Sequence, residues 1–275
     1  MKSKIIVSAC VMLVALCSCA GGQKSENEEG GKTLVLYYSQ TGATKAVAEE
    51  IGKQLEAEVV AIEAEEPYDG DYPATIERWR QEKEAGVKVG IKPLPVNPED
   101  YETIFLGFPV WGGTVASPVA TFLADNSLKG KKIVTFATFG SGGLESSTAD
   151  VAAAQPEAEV VKGYGVRNAL VAKAPAEIER FLIENGFKEG TVTVLPDYGE
   201  NEPVNEGEIE IFNQACGDYQ FPLGTPVSVE KRSYEGIDDY KFTVKSQTPD
   251  GNETTATIYV VVAEGETPVF TRVVR

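Results

Sequence analysis

The sequence predicts a parallel α/β domain followed by a smaller α+β segment, and three observations carry that prediction. Short β-rich apolar runs alternate with helix-like stretches over residues 33–187, the pattern of βαβ units around a parallel sheet. Segments rich in glycine and hydroxyl groups follow three of those runs directly, after Tyr38, Phe108 and Thr138. Beyond Phe187 the pattern changes to one helix-like stretch and four strand-like runs, as in an antiparallel meander with a helix on one face.

Taken in order, Leu34–Tyr38 reads as the first strand and Ser39-Gln40-Thr41-Gly42-Ala43-Thr44 as a tight turn. A helix from Lys45 to Leu55 carries Ala46, Val47, Ile51 and Leu55 on one side, and Val59–Ile62 is the second strand. Residues 65–98 form an irregular insertion with a helix near Ala74–Glu84. Tyr101–Phe108 is a buried-type strand, followed by the loop Pro109-Val110-Trp111-Gly112-Gly113-Thr114 and a helix over Ser117–Ala124. Lys131–Thr138 is the next strand, ending in Phe139-Gly140-Ser141-Gly142-Gly143. A helix over Glu145–Ala154 and a strand over Glu159–Gly163 come next. Pro175 then opens a helix presenting Ile178, Phe181 and Leu182, with Phe187 nearby, and Gly186 stops it. In the second part, Glu206–Tyr219 is helix-like with Ile209, Ile211, Phe212 and Cys216 as its apolar positions. Strands follow over 226–234, 240–246, 254–262 and 269–274, with Thr248-Pro249-Asp250-Gly251 as a hairpin turn between the second and third.

Composition excludes several function classes. The chain has 275 residues and 42 Asp and Glu against 25 Lys and Arg, a formal charge of −17. No basic cluster offers a face for nucleic acid. Histidine is absent, which removes Ser-His and Cys-His nucleophiles and imidazole-based zinc sites. Three of the four cysteines, Cys10, Cys17 and Cys19, precede residue 20, leaving only Cys216 in the body. Neither a disulfide framework nor a cysteine metal site fits that distribution.

Residues 1–18 read as an export signal: Lys2 and Lys4, an apolar run from Ile5 to Leu16, then small residues. Leu16-Cys17-Ser18-Cys19 resembles a bacterial lipobox. The resemblance implies cleavage before Cys19, lipid on its thiol, and an exported, membrane-anchored lipoprotein on the periplasmic or cell-surface side. Residues 19–32 are a polar tether.

The turn after the first strand carries the candidate chemistry. A helix N-terminus has unpaired N–H groups and a dipole that favours negative charge. Ser39, Thr41 and Thr44 add hydroxyls, and Gly42 lets a ligand approach the backbone. Two readings stand at this point: a phosphate cradle, or a βα turn in which Thr41 or Thr44 caps the helix. In a parallel sheet, ligands bind beyond the carboxyl ends of the strands where strand order reverses. Three such loops at one edge describe a site.

Residues 33–187 resemble the flavodoxins, on Tyr38-Ser39-Gln40-Thr41-Gly42-Ala43-Thr44, on Gly107-Phe108-Pro109-Val110-Trp111-Gly112-Gly113-Thr114 and on Thr138-Phe139-Gly140-Ser141-Gly142-Gly143. The resemblance implies a doubly wound five-stranded sheet of order 2-1-3-4-5 over residues 33–190, holding FMN without a covalent bond. It assigns the phosphate to Ser39, Thr41, Gly42, Ala43 and Thr44. One face of the flavin ring falls to Pro109, Val110, Trp111, Gly112 and Gly113, with Trp111 stacking, and the ring edge to Thr138, Phe139, Gly140 and Gly143. The third loop offers Phe139 where many relatives carry a tyrosine, leaving Tyr68, Tyr72 or Trp79 of the insertion as candidates to cover the second face. The implied activity is electron transfer or FMN-dependent oxidoreduction. The implied partners are NAD(P)H, a quinone-type acceptor or a redox protein. No catalytic side chain is required, because the flavin supplies the redox chemistry.

Residues 203–275 resemble the cystatin fold, with Arg232-Ser233-Tyr234-Glu235-Gly236 at the place of that family's inhibitory loop. The loop's Gln and Val are replaced, so the resemblance implies a structural or docking role rather than protease inhibition. A reading from another class is a surface binding or inhibitor-type lipoprotein whose flavodoxin-like half holds no cofactor.

Overall fold

The computed structural model describes residues 31–275 apart from 218, 220 and 249. The export signal, Cys19 and the tether up to residue 30 lie outside the described residues, as does Pro249 of the hairpin turn.

Alternation along the first strand, β1 (Thr33–Tyr37), decides the architecture. Leu34 and Leu36 point into one core and Val35 and Tyr37 into another, and all four are buried. A strand buried on both sides needs helices on both faces of its sheet. α1 (Ala43–Leu55) covers one face with Val47, Ala48 and Ile51, joined by Ile178 and Leu182 of α5 (Ala174–Glu184). On the other face, α3 (Ser117–Asp125) contributes Val119, Phe122 and Leu123, and α4 (Leu144–Ala154) contributes Leu144 and Val151. Each fully buried Leu, Ile, Val or Phe stabilises by about 1.5–3 kcal/mol through burial.

The remaining strands are β2 (Glu58–Ala61), β3 (Thr103–Trp111), β5 (Lys132–Phe139) and β6 (Glu159–Arg167), all parallel, in the spatial order β2-β1-β3-β5-β6. Counting only parallel strands, this is 2-1-3-4-5. The order reverses between β1 and β3, so the loops after these strands and after neighbouring β5 share one edge. In the insertion, α2 (Tyr72–Ala85) starts at Asp71, whose carboxylate accepts from Ala74 N–H at 3.0 Å.

The helix read over Glu206–Tyr219 ends at Cys216, and two further departures from the sequence reading bear on the site. β3 continues to Trp111 and turns at Gly112-Gly113 into a two-residue antiparallel strand, β4 (Thr114–Val115). The predicted loop from Pro109 is therefore a hairpin, its two-glycine turn at φ 57° and 84°. β6 runs four residues past its predicted end, to Arg167, after a register shift beside Thr135.

The second sheet is an antiparallel meander in the order β11-β10-β9-β8-β7, from β7 (Glu202–Pro203), β8 (Thr225–Tyr234), β9 (Ile237–Gln247), β10 (Glu253–Ala263) and β11 (Val269–Val274). Glu235 and Gly236 join β8 to β9 with both φ positive, at 49° and 76°, as a two-residue type I′ turn requires. α6 (Glu206–Cys216) begins with a reciprocal capping box between Asn205 and Glu208 and lays Phe212 and Cys216 on the sheet. Ile209, read as an apolar position, is instead 38% exposed. Burial pushes the Cys216 thiol up to about 12, so it is a neutral packing residue.

Candidate functional site

The turn after β1 forms an open helix N-terminus. Gly42 sits at the N-cap of α1 with φ 92°, a conformation that costs a side-chain-bearing residue strain, and no side chain caps the helix. Ser39 Oγ accepts the Gly42 N–H at 3.2 Å, which fixes the turn while leaving the Ser39 hydroxyl proton free to donate outward. Thr41 and Gly42 are exposed. The first-turn N–H groups of Ala43, Thr44 and Lys45 have no carbonyl one turn back inside the helix to bond. Thus neither Thr41 nor Thr44 caps α1, and the donors remain available to an anion.

Thr44 is placed differently from the phosphate role assigned to it. Its side chain is 1% exposed, and its hydroxyl pairs with that of Thr138 at 2.8 Å. This bond ties α1 to the end of β5 and brings the first and third loops into register; Thr44 can serve an anion only through its backbone N–H. Thr44→Val leaves the buried Thr138 hydroxyl without its partner, so it should cost about 1–3 kcal/mol in a urea titration. The double Thr44→Val, Thr138→Val variant should cost less than the two single losses added together. Additive costs would contradict this coupling.

Gln40 links the turn to the insertion. Its Nε2 donates to Thr75 Oγ1 at 2.6 Å and to the Tyr68 carbonyl at 3.2 Å, which fixes the start of α2 beside the turn. The insertion is anchored to the sheet by a buried aromatic cluster. Trp111 is 2% exposed, with its ring 4.7 Å from Tyr68 and 5.7 Å from Tyr38 between centroids. Burial pushes the Tyr38 phenol up to about 12. Burial and the hydrogen bond to Glu82 raise Tyr68 as well, so both phenols stay neutral. Arg78 lies over the Tyr68 ring at 3.9 Å and bonds Glu82 at 2.7 Å.

Trp111, assigned to stack on the flavin, is therefore enclosed between Tyr38 and Tyr68 and does not line the open cleft. It lies in the same core cluster as its neighbour Val110, together with Tyr38 and Tyr68. Thr138 and Phe139 are likewise buried, at 1% and 3% exposure, because β5 runs through Phe139 and the loop begins only at Gly140. Pro109 also sits within β3, away from the cleft.

What remains open is a cleft of about 710 Å³ between the Gly112-Gly113 turn and the Gly140–Gly143 loop, inside the usual range for small-molecule sites. Of the assigned ring contacts, Val110, Gly112, Gly113, Gly140 and Gly143 line it. Of the three insertion aromatics, Tyr72 lines it, whereas Tyr68 is buried and Trp79 packs over Gly112. The sequence reading missed Ser146, Asn168, Tyr219, Phe221 and the end of β11, which also line this cleft. No spacing signal in the chain connects residues 219–221 with residues 140–143.

A model of the flavodoxin family, described as Flavodoxin, matches residues 32–180. Among solved structures, a flavoprotein from Lactobacillus acidophilus in complex with FMN is similar, at 23% identity and TM-score 0.43, over 55% of this chain and 99% of that one. Candidate flavoproteins from Bacteroides eggerthii (24%, TM-score 0.42) and Bacteroides uniformis (23%, TM-score 0.46) are similar over the same shares of both chains. None of the curated proteins compared matches the chain.

Proposed function

This chain belongs to the flavodoxin family, and we propose that it binds FMN without a covalent bond and works as a redox flavoprotein. The observation that carries the reading is the uncapped N-terminus of α1 at the strand-order switch, with a glycine at the N-cap and hydroxyls at Ser39 and Thr41. The Lactobacillus relative is described as bound to FMN, and the donor set here fits the same group. A phosphate would be held by Ser39, Thr41 and the N–H groups of Ala43, Thr44 and Lys45. The residues that would hold the flavin ring are Gly112, Gly113 and the Gly140–Gly143 loop, which line the cleft. A Cβ at Gly143 would overlap Val110, so the narrow approach there depends on glycine.

Bound FMN supplies one- and two-electron chemistry. The protein's part is to bind, orient and partly desolvate it. Tyr72, Glu145 and Tyr219 are the ionisable side chains of the lining besides Arg275, and none is needed as an acid or base for electron exchange. The reading covers a carrier serving a redox protein and an oxidoreductase using NAD(P)H or a quinone-type acceptor. The lipobox-like Leu16-Cys17-Ser18-Cys19 supports placing this activity at a membrane surface through a lipid on Cys19.

The test is spectroscopic. Purified protein mixed with FMN and gel-filtered should carry flavin absorbance with the protein peak at one flavin per chain. Bleaching by NAD(P)H alone would favour the oxidoreductase. Protein that emerges colourless after FMN addition would sink the FMN reading and favour a cofactor-free binding protein.

A further inference from the structure

We propose that the C-terminal segment, which lies beyond the matched family range, is a built wall of the ring cleft: Tyr219 and Phe221 shield the bound flavin, and Arg167 positions them. This rests on the FMN reading above. The connection between α6 and β8 brings both aromatic rings into the lining of the cleft that also holds Tyr72, Gly112 and Gly113. Tyr72 and Phe221 are 56% and 54% exposed. Among the described residues, four large hydrophobic side chains are more than half exposed, and these two share one cleft. Aromatic faces left open to water around a slot suit a flat aromatic ligand, which gains by stacking and by covering them.

The wall is fastened, not merely adjacent. Arg167, at the end of β6, donates from Nε to the Gly140 carbonyl at 2.8 Å and from Nη1 to the Phe270 carbonyl of β11 at 2.7 Å. Its guanidinium lies 4.3 Å from the Phe270 ring centre and 5.5 Å from that of Tyr219. Tyr219 in turn packs edge-on against Phe270 at 5.3 Å and against Phe221 at 6.0 Å. The Val273 N–H donates to the Ser141 carbonyl at 2.7 Å. At Gly142 the two backbones touch, because a Cβ there would overlap the Val273 carbonyl oxygen. Two successive carbonyls of the third loop are therefore held, Gly140 by Arg167 of β6 and Ser141 by Val273 of the C-terminal sheet. A planar guanidinium can bridge two carbonyls while stacking on aromatic rings, which an ammonium cannot reproduce.

The consequence concerns access. A flavodoxin-like domain alone would leave this end of the ring open to solvent; here the second sheet closes it and sets how freely small solutes meet the ring. The experiment is quenching of flavin fluorescence by acrylamide in the full chain loaded with FMN. Tyr219→Ala combined with Phe221→Ala should raise the quenching slope at least threefold. It should also brighten the bound flavin, since a tyrosine near the ring is lost. Arg167→Met removes no wall residue but frees the loop, and should raise the slope in the same direction. Phe221→Ala alone, more than half exposed, guards against misfolding of the double variant and should show part of the rise. Unchanged slopes in variants that hold one FMN per chain would overturn the wall while leaving the FMN reading intact. Failure of the unaltered protein to bind FMN would overturn both.

Discussion

Thr41→Asp should weaken FMN binding by at least 100-fold while leaving riboflavin binding and the thermal midpoint nearly unchanged. Position 41 is exposed at the mouth of the α1 N-terminus and is not the helix cap, so the substitution leaves buried packing untouched. A carboxylate about 4 Å from a phosphate opposes it by roughly 4 kcal/mol per pair of charges at the effective dielectric of a protein surface. Each 1.4 kcal/mol is about tenfold in affinity, so even half that repulsion exceeds one order of magnitude and a doubly charged phosphate adds more. Riboflavin carries the same ring without the phosphate and is the internal control. Equal losses for both ligands would mean that the phosphate lies elsewhere. No loss for either would return the turn to a plain βα connection.

The second large effect is on the fold. Trp111→Ala should lower unfolding stability by about 3–5 kcal/mol, the usual cost of removing a large buried aromatic, because the ring is 2% exposed and bridges Tyr38 and Tyr68. Trp111→Phe should lose about 1–3 kcal/mol and hold FMN within tenfold of the unaltered protein. Guanidinium titrations of both variants, read beside FMN titrations of Trp111→Phe, check this. A stable Trp111→Phe protein with its FMN affinity gone would mean that the ring faces the ligand after all.

Trp111 also marks where sequence reading reaches its limit. A tryptophan in a glycine-rich stretch after a strand reads as a ligand contact, but whether β3 stops at Phe108 or continues to Trp111 depends on its partner strand. Pairing of Val110 with Val115 and Trp111 with Thr114 supplies that partner, and the ring packs against Tyr38 and Tyr68, which are distant in sequence. Thr44 shows the same thing at the level of one hydroxyl. Its neighbour in space, Thr138, is 94 residues away, so the sequence reveals a hydroxyl and not its partner. The run Leu34-Val35-Leu36-Tyr37, by contrast, is local and continuously apolar, and it announces a strand buried on both faces. The strand, turn and helix around Gly42 were legible for the same reason, because they are contiguous, whereas the choice of Gly42 over Thr41 or Thr44 as the N-cap was not. Tyr219 and Phe221 were not, since only the packing of β11 on the third loop carries them to the cleft.

The most direct test is a crystal structure of the protein with FMN. The phosphate should accept hydrogen bonds from Ser39, Thr41 and the first-turn N–H groups of α1, with the ring between Gly112-Gly113 and Gly140–Gly143 and Tyr219 at its edge. Density for FMN with its phosphate away from residues 39–45, or a ring seated outside the cleft between these two loops, would contradict the account.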